Sequence, residues 1–152
     1  MTLFLVRHAK AGSRDKWDGP DETRPLSKNG WKQAESISTR LQKHHVTTLL
    51  SSPFVRCSQT LEPIARALDL EVMPDARLAE GERFEDVLTM LVELPEGSVL
   101  CTHGDLVPET IAALQRRGCR IDSDPDWRKG TVWKLERSGD AITRATVGPP
   151  PS

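Results

Sequence analysis

The chain has 152 residues, 37% of them hydrophobic and 28% charged, which is typical of a single globular domain with its own core. Its formal net charge of -1 argues against a protein that coats nucleic acid polymers or anionic membranes. No apolar run is long enough to span a membrane, and the N-terminus lacks the charged segment of a signal peptide, so we expect a cytoplasmic protein.

The first predicted element is a buried strand that leads directly into charged residues. Residues 3–6 form a short, continuous apolar run, which is typical of a strand covered by helices on both faces of a parallel sheet. Arg7 and His8 follow at its carboxyl end, where open α/β sheets bind their ligands. Taken alone, the pair would more simply be an edge histidine beside a surface arginine.

A long polar connection, residues 10–29, follows this strand. Loops of this length within a compact domain are usually functional or mobile. Trp17 in this loop could stack on a base, but we favour a role in anchoring the loop. Ser27 is a plausible N-cap for a helix over about residues 28–44, and Gly30 in its first turn indicates the close approach of another backbone.

The next strand and helix bring a second arginine to the same edge. Residues 46–51 are β-branched and apolar and predict a strand, while Ser52 followed by Pro53 predicts a helix start. Arg56 then falls in the first helical turn, beside free backbone N–H groups that favour an anion, although a solvated helix arginine is the simpler alternative. A catalytic thiol at the neighbouring Cys57 is disfavoured, because no base motif accompanies it.

Two carboxylates follow the third predicted strand, which covers residues 70–73. Glu80 and Glu82 flank Gly81 at the end of an extended segment, where one carboxylate could reach over a site. Most carboxylates in such loops are only solvated. A third helix is marked by apolar residues from Phe84 onward.

The fourth strand, residues 98–102, supplies a second histidine. His103 stands at its carboxyl end, and Gly104 would let the backbone approach a ligand closely. A helix with an apolar stripe over residues 107–114 comes next.

The C-terminal part of the predicted domain, which covers residues 1–148, is read as a polar connection followed by a hairpin. The connection is residues 115–130, and the hairpin strands are residues 131–135 and 141–147. Residues 149–152 are expected to form a flexible, proline-rich tail.

The element order predicts a single three-layer α/β domain, with a mostly parallel sheet, helices on both faces and a C-terminal antiparallel hairpin. It gathers Arg7, His8, Arg56 and His103 at one sheet edge, a pattern suited to a dianionic phosphate. Arginine presents planar donors that match phosphate oxygens, and a histidine with a pKa near ~6.5 is available as a neutral nucleophile. This set favours covalent phosphoryl transfer without a metal ion or cofactor.

Five motifs carry a family resemblance: LVRHAKAG, RPLSKNGWKQAE, SSPFVRCSQT, LAEG and CTHGD occur in this order. Over about residues 3–112 the chain resembles the histidine phosphatase superfamily, which has the phosphoglycerate-mutase-like fold. Its short length and RHAKAG opening are most similar to SixA-like phosphohistidine phosphatases. The RKGTVWKLE segment also resembles the phosphatase-like half of Nudix-fused proteins that act on nucleotides.

The resemblance implies roles for the residues at the sheet edge. His8 would be the nucleophile that becomes phosphorylated, and Arg7 and Arg56 would grip the phosphoryl oxygens. His103 would stabilise the transferring group. Ala9 departs from the family, which usually has glycine after the Arg-His pair, and this change would tighten the loop without removing the chemistry.

The resemblance also implies a general acid, with Glu80 as the candidate and Glu82 as its competitor. Further substrate-binding candidates are Ser13, Arg14, Gly104 and Lys129. The expected partner is a phosphohistidine protein or a small phosphorylated metabolite, and nothing in the sequence fixes an oligomeric state.

Three alternatives stay open for the function. Phosphoramidates need little acid help, sugar phosphates need a proton on the departing oxygen, and nucleoside di- or triphosphates lie between them. The alternatives are therefore a nucleotide phosphatase of the same fold, a mutase, which the short chain disfavours, and a non-catalytic phosphate-binding signalling module.

Overall fold

The computed structural model describes all residues, 1–152, and its main feature is a seven-stranded mixed sheet between two pairs of α-helices. The strands are β1 (Thr2–Arg7), β2 (Thr48–Ser51), β3 (Val72–Pro74), β4 (Ser98–Thr102), β5 (Arg120–Ile121), β6 (Val132–Ser138) and β7 (Ala141–Val147). The helices are α1 (Lys28–Leu41), α2 (Val55–Leu68), α3 (Phe84–Glu93) and α4 (Leu106–Arg116).

The sheet has the strand order β3-β2-β4-β1-β6-β7-β5. The first four strands in this order are mutually parallel, β6 is antiparallel to both β1 and β7, and β5 is parallel to β7. The predicted α/β fold, with its mostly parallel sheet and C-terminal antiparallel hairpin, is therefore confirmed. None of the four α-helices combines the length and the apolar character needed to cross a membrane.

The strand β1 is buried on both faces, which explains its uninterrupted apolar run. Side chains alternate between the two faces of a strand. Leu3 and Leu5 accordingly join the core cluster formed with α3 and α4, whereas Phe4 and Val6 join the cluster formed with α1 and α2. Both faces of the sheet are thus covered, as the sequence predicts for a parallel sheet between helices.

Several element boundaries differ from those predicted. The helix α1 ends at Leu41 rather than near residue 44, because its last turn tightens into a Lys43 N–H···O=C Arg40 bond. The two-residue strand β5 lies inside the segment read as a polar connection, since a single exposed arginine and one half-buried isoleucine carry no periodic signal. The strand β6 continues three residues beyond Leu135.

The C-terminal residues, which the sequence predicts to form a flexible tail, contact α1 in the structure. Pro151 is buried, and its carbonyl accepts a hydrogen bond from Gln33 Nε2 at 2.9 Å. The Pro149 carbonyl accepts one from Arg40 Nη1, also at 2.9 Å. Proline cannot donate a backbone hydrogen bond, but its carbonyl accepts one, and α1 supplies the donors.

Candidate active site

The carboxyl edge of the parallel strands brings the four predicted residues together. Arg7 pairs in register with Thr102 of the neighbouring strand, so His8 and His103 emerge side by side, with ring centroids 5.4 Å apart. Arg56 arrives from the first turn of α2 and lies close enough to lower the pKa of His8.

His8 is held as a neutral ring with a defined tautomer. Its Nδ1 lies 2.8 Å from the carbonyl oxygen of Ala9, and because a carbonyl only accepts, Nδ1 carries the proton and Nε2 carries the lone pair. Burial, together with the nearby His103, Arg56 and Arg7, lowers the pKa of His8 to about 3, although the hydrogen bond to the Ala9 carbonyl opposes this shift. The ring is therefore neutral at pH 7, with a single proton on Nδ1.

His103 is fully buried and is bonded through one nitrogen only. Its Nε2 lies 2.8 Å from Ser52 Oγ and 3.5 Å from Cys57 Sγ, while its Nδ1 has no hydrogen-bond partner. Ser52 Oγ already accepts the backbone N–H of Phe54 at 3.2 Å. Ser52 is therefore not the N-cap predicted from the sequence: α2 begins at Val55, and the Ser52 hydroxyl is bonded to His103 instead.

Arg7 is clamped between a carbonyl and a glycine. Its Nη1 donates to the carbonyl oxygen of Trp127 at 2.6 Å, and its Nε is buried without a partner. A Cβ built on Gly104 would lie 2.6 Å from the guanidinium carbon of Arg7, so this glycine makes room for Arg7. Burial lowers the pKa of Arg7, and the charges of Asp105 and Glu80 oppose that shift.

Arg56 is anchored by a residue that the sequence analysis did not single out. The 1%-exposed side chain of Arg56 donates through Nη1 to the Asp21 carbonyl at 2.9 Å and through Nη2 to Asp21 Oδ2 at 3.0 Å. Its Nε is buried without a partner. Burial would raise the pKa of Asp21, but hydrogen bonds from Arg24 and Arg56 hold it below its usual range. The length of the polar 10–29 loop was the only sequence signal for Asp21.

The two competing carboxylates occupy different positions. Glu80 Oε1 lies 3.7 Å from Arg56 Nη2, 3.9 Å from His103 Nδ1 and 3.9 Å from Arg14 Nη2. Glu82 forms no ion pair and is exposed to solvent. Of the two, Glu80 is the one that the structure places against the arginines and histidines of the edge.

The remaining predicted substrate-binding residues lie around the rim. Ser13 is exposed, and its hydroxyl makes no capping bond, while Arg14 reaches Asp21 Oδ1 with its Nε at 3.5 Å. Burial lowers the pKa of Lys129, and the nearby arginines, Arg7 first among them, lower it further. Trp17 donates from its indole nitrogen to a carbonyl of its own loop, that of Pro20, at 2.8 Å, as expected of an anchor.

Unpaired buried donors distinguish this edge from the rest of the molecule. Three of the five buried side-chain atoms without a hydrogen-bond partner are Arg7 Nε, Arg56 Nε and His103 Nδ1. Buried donors are normally paired, because leaving one unpaired costs about 1–3 kcal/mol. The arrangement is suited to an oxyanion that accepts from all three, next to the neutral ring of His8. No group of three or more His, Cys, Asp or Glu side chains is arranged to hold a metal ion.

The sequence also matches a known family over this region. The model of the histidine phosphatase superfamily (branch 1) matches residues 3–82, slightly more than half of the chain. The chain belongs to this superfamily. The resemblance found in the motifs is therefore confirmed, and the match covers Arg7, His8, Arg56 and Glu80, whereas His103 lies beyond it.

Three relatives show how the chain compares with other members. It is 34% identical to the 8-oxo-(d)GTP phosphatase of Mycolicibacterium smegmatis, over 99% of this chain but 48% of that protein. It is 29% identical to a phosphohistidine phosphatase SixA homolog of Haemophilus influenzae, over 91% of this chain and 92% of that one. The structure of the phosphatase SixA complexed with tungstate superposes with a TM-score of 0.77 at 23% identity, covering 97% and 94% of the two chains. The chain thus spans about half the length of the mycolicibacterial relative.

Proposed function

We propose that the chain is a metal-independent phosphatase that works through a covalent phosphohistidine intermediate on His8. The observation that carries this proposal is the set of three buried, unpaired donors on Arg7, Arg56 and His103 beside a neutral histidine. A phosphoryl group supplies the acceptors that these donors lack, and its phosphorus supplies the electrophile for the free Nε2 of His8.

The chemistry proceeds in two displacements at phosphorus. His8 Nε2 forms an N–P bond as the bond from phosphorus to the leaving group breaks, and the leaving group keeps the electron pair. The Nδ1–H···O=C bond to Ala9 then stabilises the positive charge that the ring acquires. Water next attacks the phosphorus, releases inorganic phosphate and returns the electron pair to Nε2. The guanidinium groups of Arg7 and Arg56 stabilise the equatorial oxygens in both steps.

His103 is proposed to donate a hydrogen bond from Nδ1 to the transferring phosphoryl group. Ser52 Oγ spends one lone pair on the Phe54 N–H, and its own proton is directed at His103 Nε2, 2.8 Å away. The ring proton of His103 then resides on Nδ1, the buried nitrogen without a partner. Ser52 is thus a positioning residue that fixes the tautomer of His103.

Glu80 is proposed as the general acid for leaving groups that need a proton. Its side chain is 42% exposed, so a proton from solvent can replace the one it gives up, and it lies next to Arg56 and His103. An alkyl phosphate depends on this proton, whereas a phosphohistidine does not. The proposed substrates are accordingly a phosphohistidine protein or a small phosphorylated metabolite.

A nucleoside di- or triphosphate is the second candidate substrate class. It is favoured by the alignment with the 8-oxo-(d)GTP phosphatase of M. smegmatis, which extends over 99% of this chain. That relative is about twice as long, so its activity is carried over to this chain only as a proposal.

The test is to look for phosphate on His8 during turnover. The protein would be mixed with a phosphohistidine peptide, a nucleoside diphosphate, a sugar phosphate or p-nitrophenyl phosphate. The reaction would be quenched without acid and analysed by mass spectrometry. We expect a transient label on His8, its loss in His8→Ala, and a fall in turnover of at least about 10⁴-fold. His45→Ala changes an exposed histidine and serves as the matched control. Folded protein that neither labels nor turns over any substrate would instead indicate a phosphate-binding module.

A further inference from the structure

A cavity lies beside Arg7, on the side of the C-terminal residues. It has a volume of ≈ 450 Å³ and is here called the lysine groove. Its walls are Arg7, Lys10, Gln33, Arg128, Lys129 and residues 150–152. Because no carboxylate side chain and no large apolar side chain lines it, the groove is suited to an anion.

The lysine groove is built on a buried glutamine. Gln33 is 2% exposed, its Oε1 accepts the backbone N–H of Lys10 at 3.0 Å, and its Nε2 donates to Pro151. Gly130, with a φ of 84°, packs on the same amide, where an added Cβ would lie 3.1 Å from Oε1. The Gly130 N–H also donates to the carbonyl of His8 at 3.0 Å. These bonds hold the segment that carries Lys129 directly against the end of β1.

Three cations of the groove, Arg7 and the two lysines, are free of carboxylate partners. Arg128 is paired through its Nε with Asp126 Oδ1 at 3.0 Å, whereas Lys10 and Lys129 form no ion pair. A concave surface lined by charge of one sign concentrates the electrostatic potential and attracts a ligand of the opposite sign. The lysine groove therefore holds unneutralised positive charge beside the end of β1, where the proposed nucleophile His8 lies.

We propose that the lysine groove binds a second phosphate of the substrate, and that the nucleoside diphosphate is therefore the one used among the substrate classes proposed above. This inference rests on the proposed function. Arg7 belongs to both the phosphoryl site and the groove, so an anion in the groove would share this guanidinium group with the transferring phosphoryl group, as the second phosphate of a diphosphate can. The groove volume also lies within the ~300–1,000 Å³ range of small-molecule sites. A phosphohistidine peptide carries no second anion fixed at that position.

The reaction then follows a defined bond balance. His8 Nε2 forms a bond to the terminal phosphorus while the bridging P–O bond breaks, and the nucleoside monophosphate leaves with that oxygen and its electron pair. Lys10 and Lys129 offset the charge that develops on this leaving phosphate. Water afterwards hydrolyses the N–P bond and regenerates His8.

The first arm of the test measures KM for a nucleoside diphosphate and for p-nitrophenyl phosphate, which has no second anion. We expect Lys10→Gln and Lys129→Gln each to raise the ratio of the two KM values about tenfold, because each removes one charged hydrogen bond to the second phosphate. Lys43→Gln, an exposed lysine near the other end of α1, should leave the ratio unchanged. Unchanged ratios in both groove variants would overturn the inference.

The second arm measures binding without turnover, by calorimetry with inorganic pyrophosphate and inorganic phosphate. We expect pyrophosphate to bind at least about tenfold more tightly, and the difference to shrink in Lys10→Gln and Lys129→Gln. Equal affinities would overturn the lysine groove even if His8 becomes phosphorylated. Tight pyrophosphate binding without any label on His8 would retain the groove and overturn the proposed function. A phosphohistidine peptide that is preferred, with both groove variants unaffected, would overturn the inference alone.

Discussion

Both edges of the sheet bury arginine, but they satisfy it differently. At the edge where β1 begins, Arg137 is 8% exposed and its backbone N–H bonds to the carbonyl of Met1. Its Nη1 donates to the carbonyls at the end of α3, those of Leu91 at 2.9 Å, Val92 at 3.3 Å and Leu94 at 2.6 Å. None of its buried nitrogens lacks a partner. This arginine closes the C-terminus of a helix and is part of the scaffold.

At the opposite edge, Arg7 and Arg56 are each anchored by some donors and leave another one unpaired. Trp127 holds Arg7, and Asp21 holds Arg56, so both guanidinium groups are fixed, yet their Nε atoms have no acceptor within the protein. Burial alone therefore does not distinguish a ligand-binding arginine from a structural one. A buried arginine that is fixed and still has a free donor is prepared for a ligand.

Replacing one arginine at each edge by lysine tests whether the two edges have different roles. Of the substitutions discussed here, these should differ most in their effect on kcat/KM. We expect Arg56→Lys to lower kcat/KM about 10³-fold, since an ammonium cannot replace a planar donor pair aimed at the phosphoryl oxygens. Arg137→Lys should leave kcat/KM unchanged and lower the free energy of unfolding by about 1–2 kcal/mol, because carbonyls of α3 lose their partner.

Steady-state kinetics and urea unfolding of the two purified variants provide the measurement. Arg56→Lys should unfold close to wild type, since Asp21 keeps its hydrogen bond from Arg24 Nε. Equal losses of activity in the two variants would show that the edges do not differ as proposed.

The two carboxylates after Ala79 differ in position, because Glu80 lies beside Arg56 and His103 whereas Glu82 does not. Glu80→Gln should lower kcat/KM about 10²-fold for an alkyl phosphate, whose departing oxygen needs a proton, and only slightly for p-nitrophenyl phosphate. Glu82→Gln, the matched change two residues on, should affect neither substrate. The leaving-group dependence of the two variants is the measurement, and a uniform loss with both substrates would exclude Glu80 as the acid.

The pH dependence of stability should also differ between the edges. Because the pKa of His8 is about 3 in the folded protein and about 6.5 when unfolded, the unfolded state binds more protons between these values. The stability that this group contributes is therefore fully present above about pH 6.5 and is lost as the pH falls toward 3. The loss amounts to about 2 kcal/mol at pH ~5.

Urea unfolding of the wild type and His8→Gln at pH ~7 and ~5 tests this sign. We expect the wild type to lose more stability on acidification than His8→Gln, with the exposed His45→Gln behaving as the wild type. Parallel pH profiles of His8→Gln and the wild type would contradict the lowered pKa of His8.

The sequence predicted those parts of the site that follow from short-range pattern and from sheet geometry. The apolar run of β1 fixed a buried strand, and the shared carboxyl edge of parallel strands was enough to bring His8 and His103 together. Gly30 was also interpreted correctly, since a Cβ there would lie 1.8 Å from the carbonyl oxygen of Lys10.

Contacts between distant segments escaped prediction. Asp21 meets Arg56 across 35 residues, and Ser52 meets His103 across 51, so their roles emerge only when the loop and the strands are in place. The choice between Glu80 and Glu82 depends on the turn at Gly81, whose φ of 86° redirects the chain between them.

The hydrogen bond between Ser52 and His103 is a long-range contact of this kind, and removing it should have the smallest effect on kcat/KM. Ser52→Ala removes the hydroxyl that directs His103 Nε2 and should lower kcat/KM about tenfold without large loss of stability, because the ring remains packed but its tautomer is no longer fixed. Nitrogen-15 NMR of the imidazole should show the proton on Nδ1 in the wild type and a mixture of tautomers in Ser52→Ala. Ser98→Ala, which alters a buried serine at the opposite edge, should change neither the spectrum of His103 nor kcat/KM. A wild-type proton on Nε2 would reverse the direction of the Ser52 bond and remove the donor proposed for the phosphoryl group.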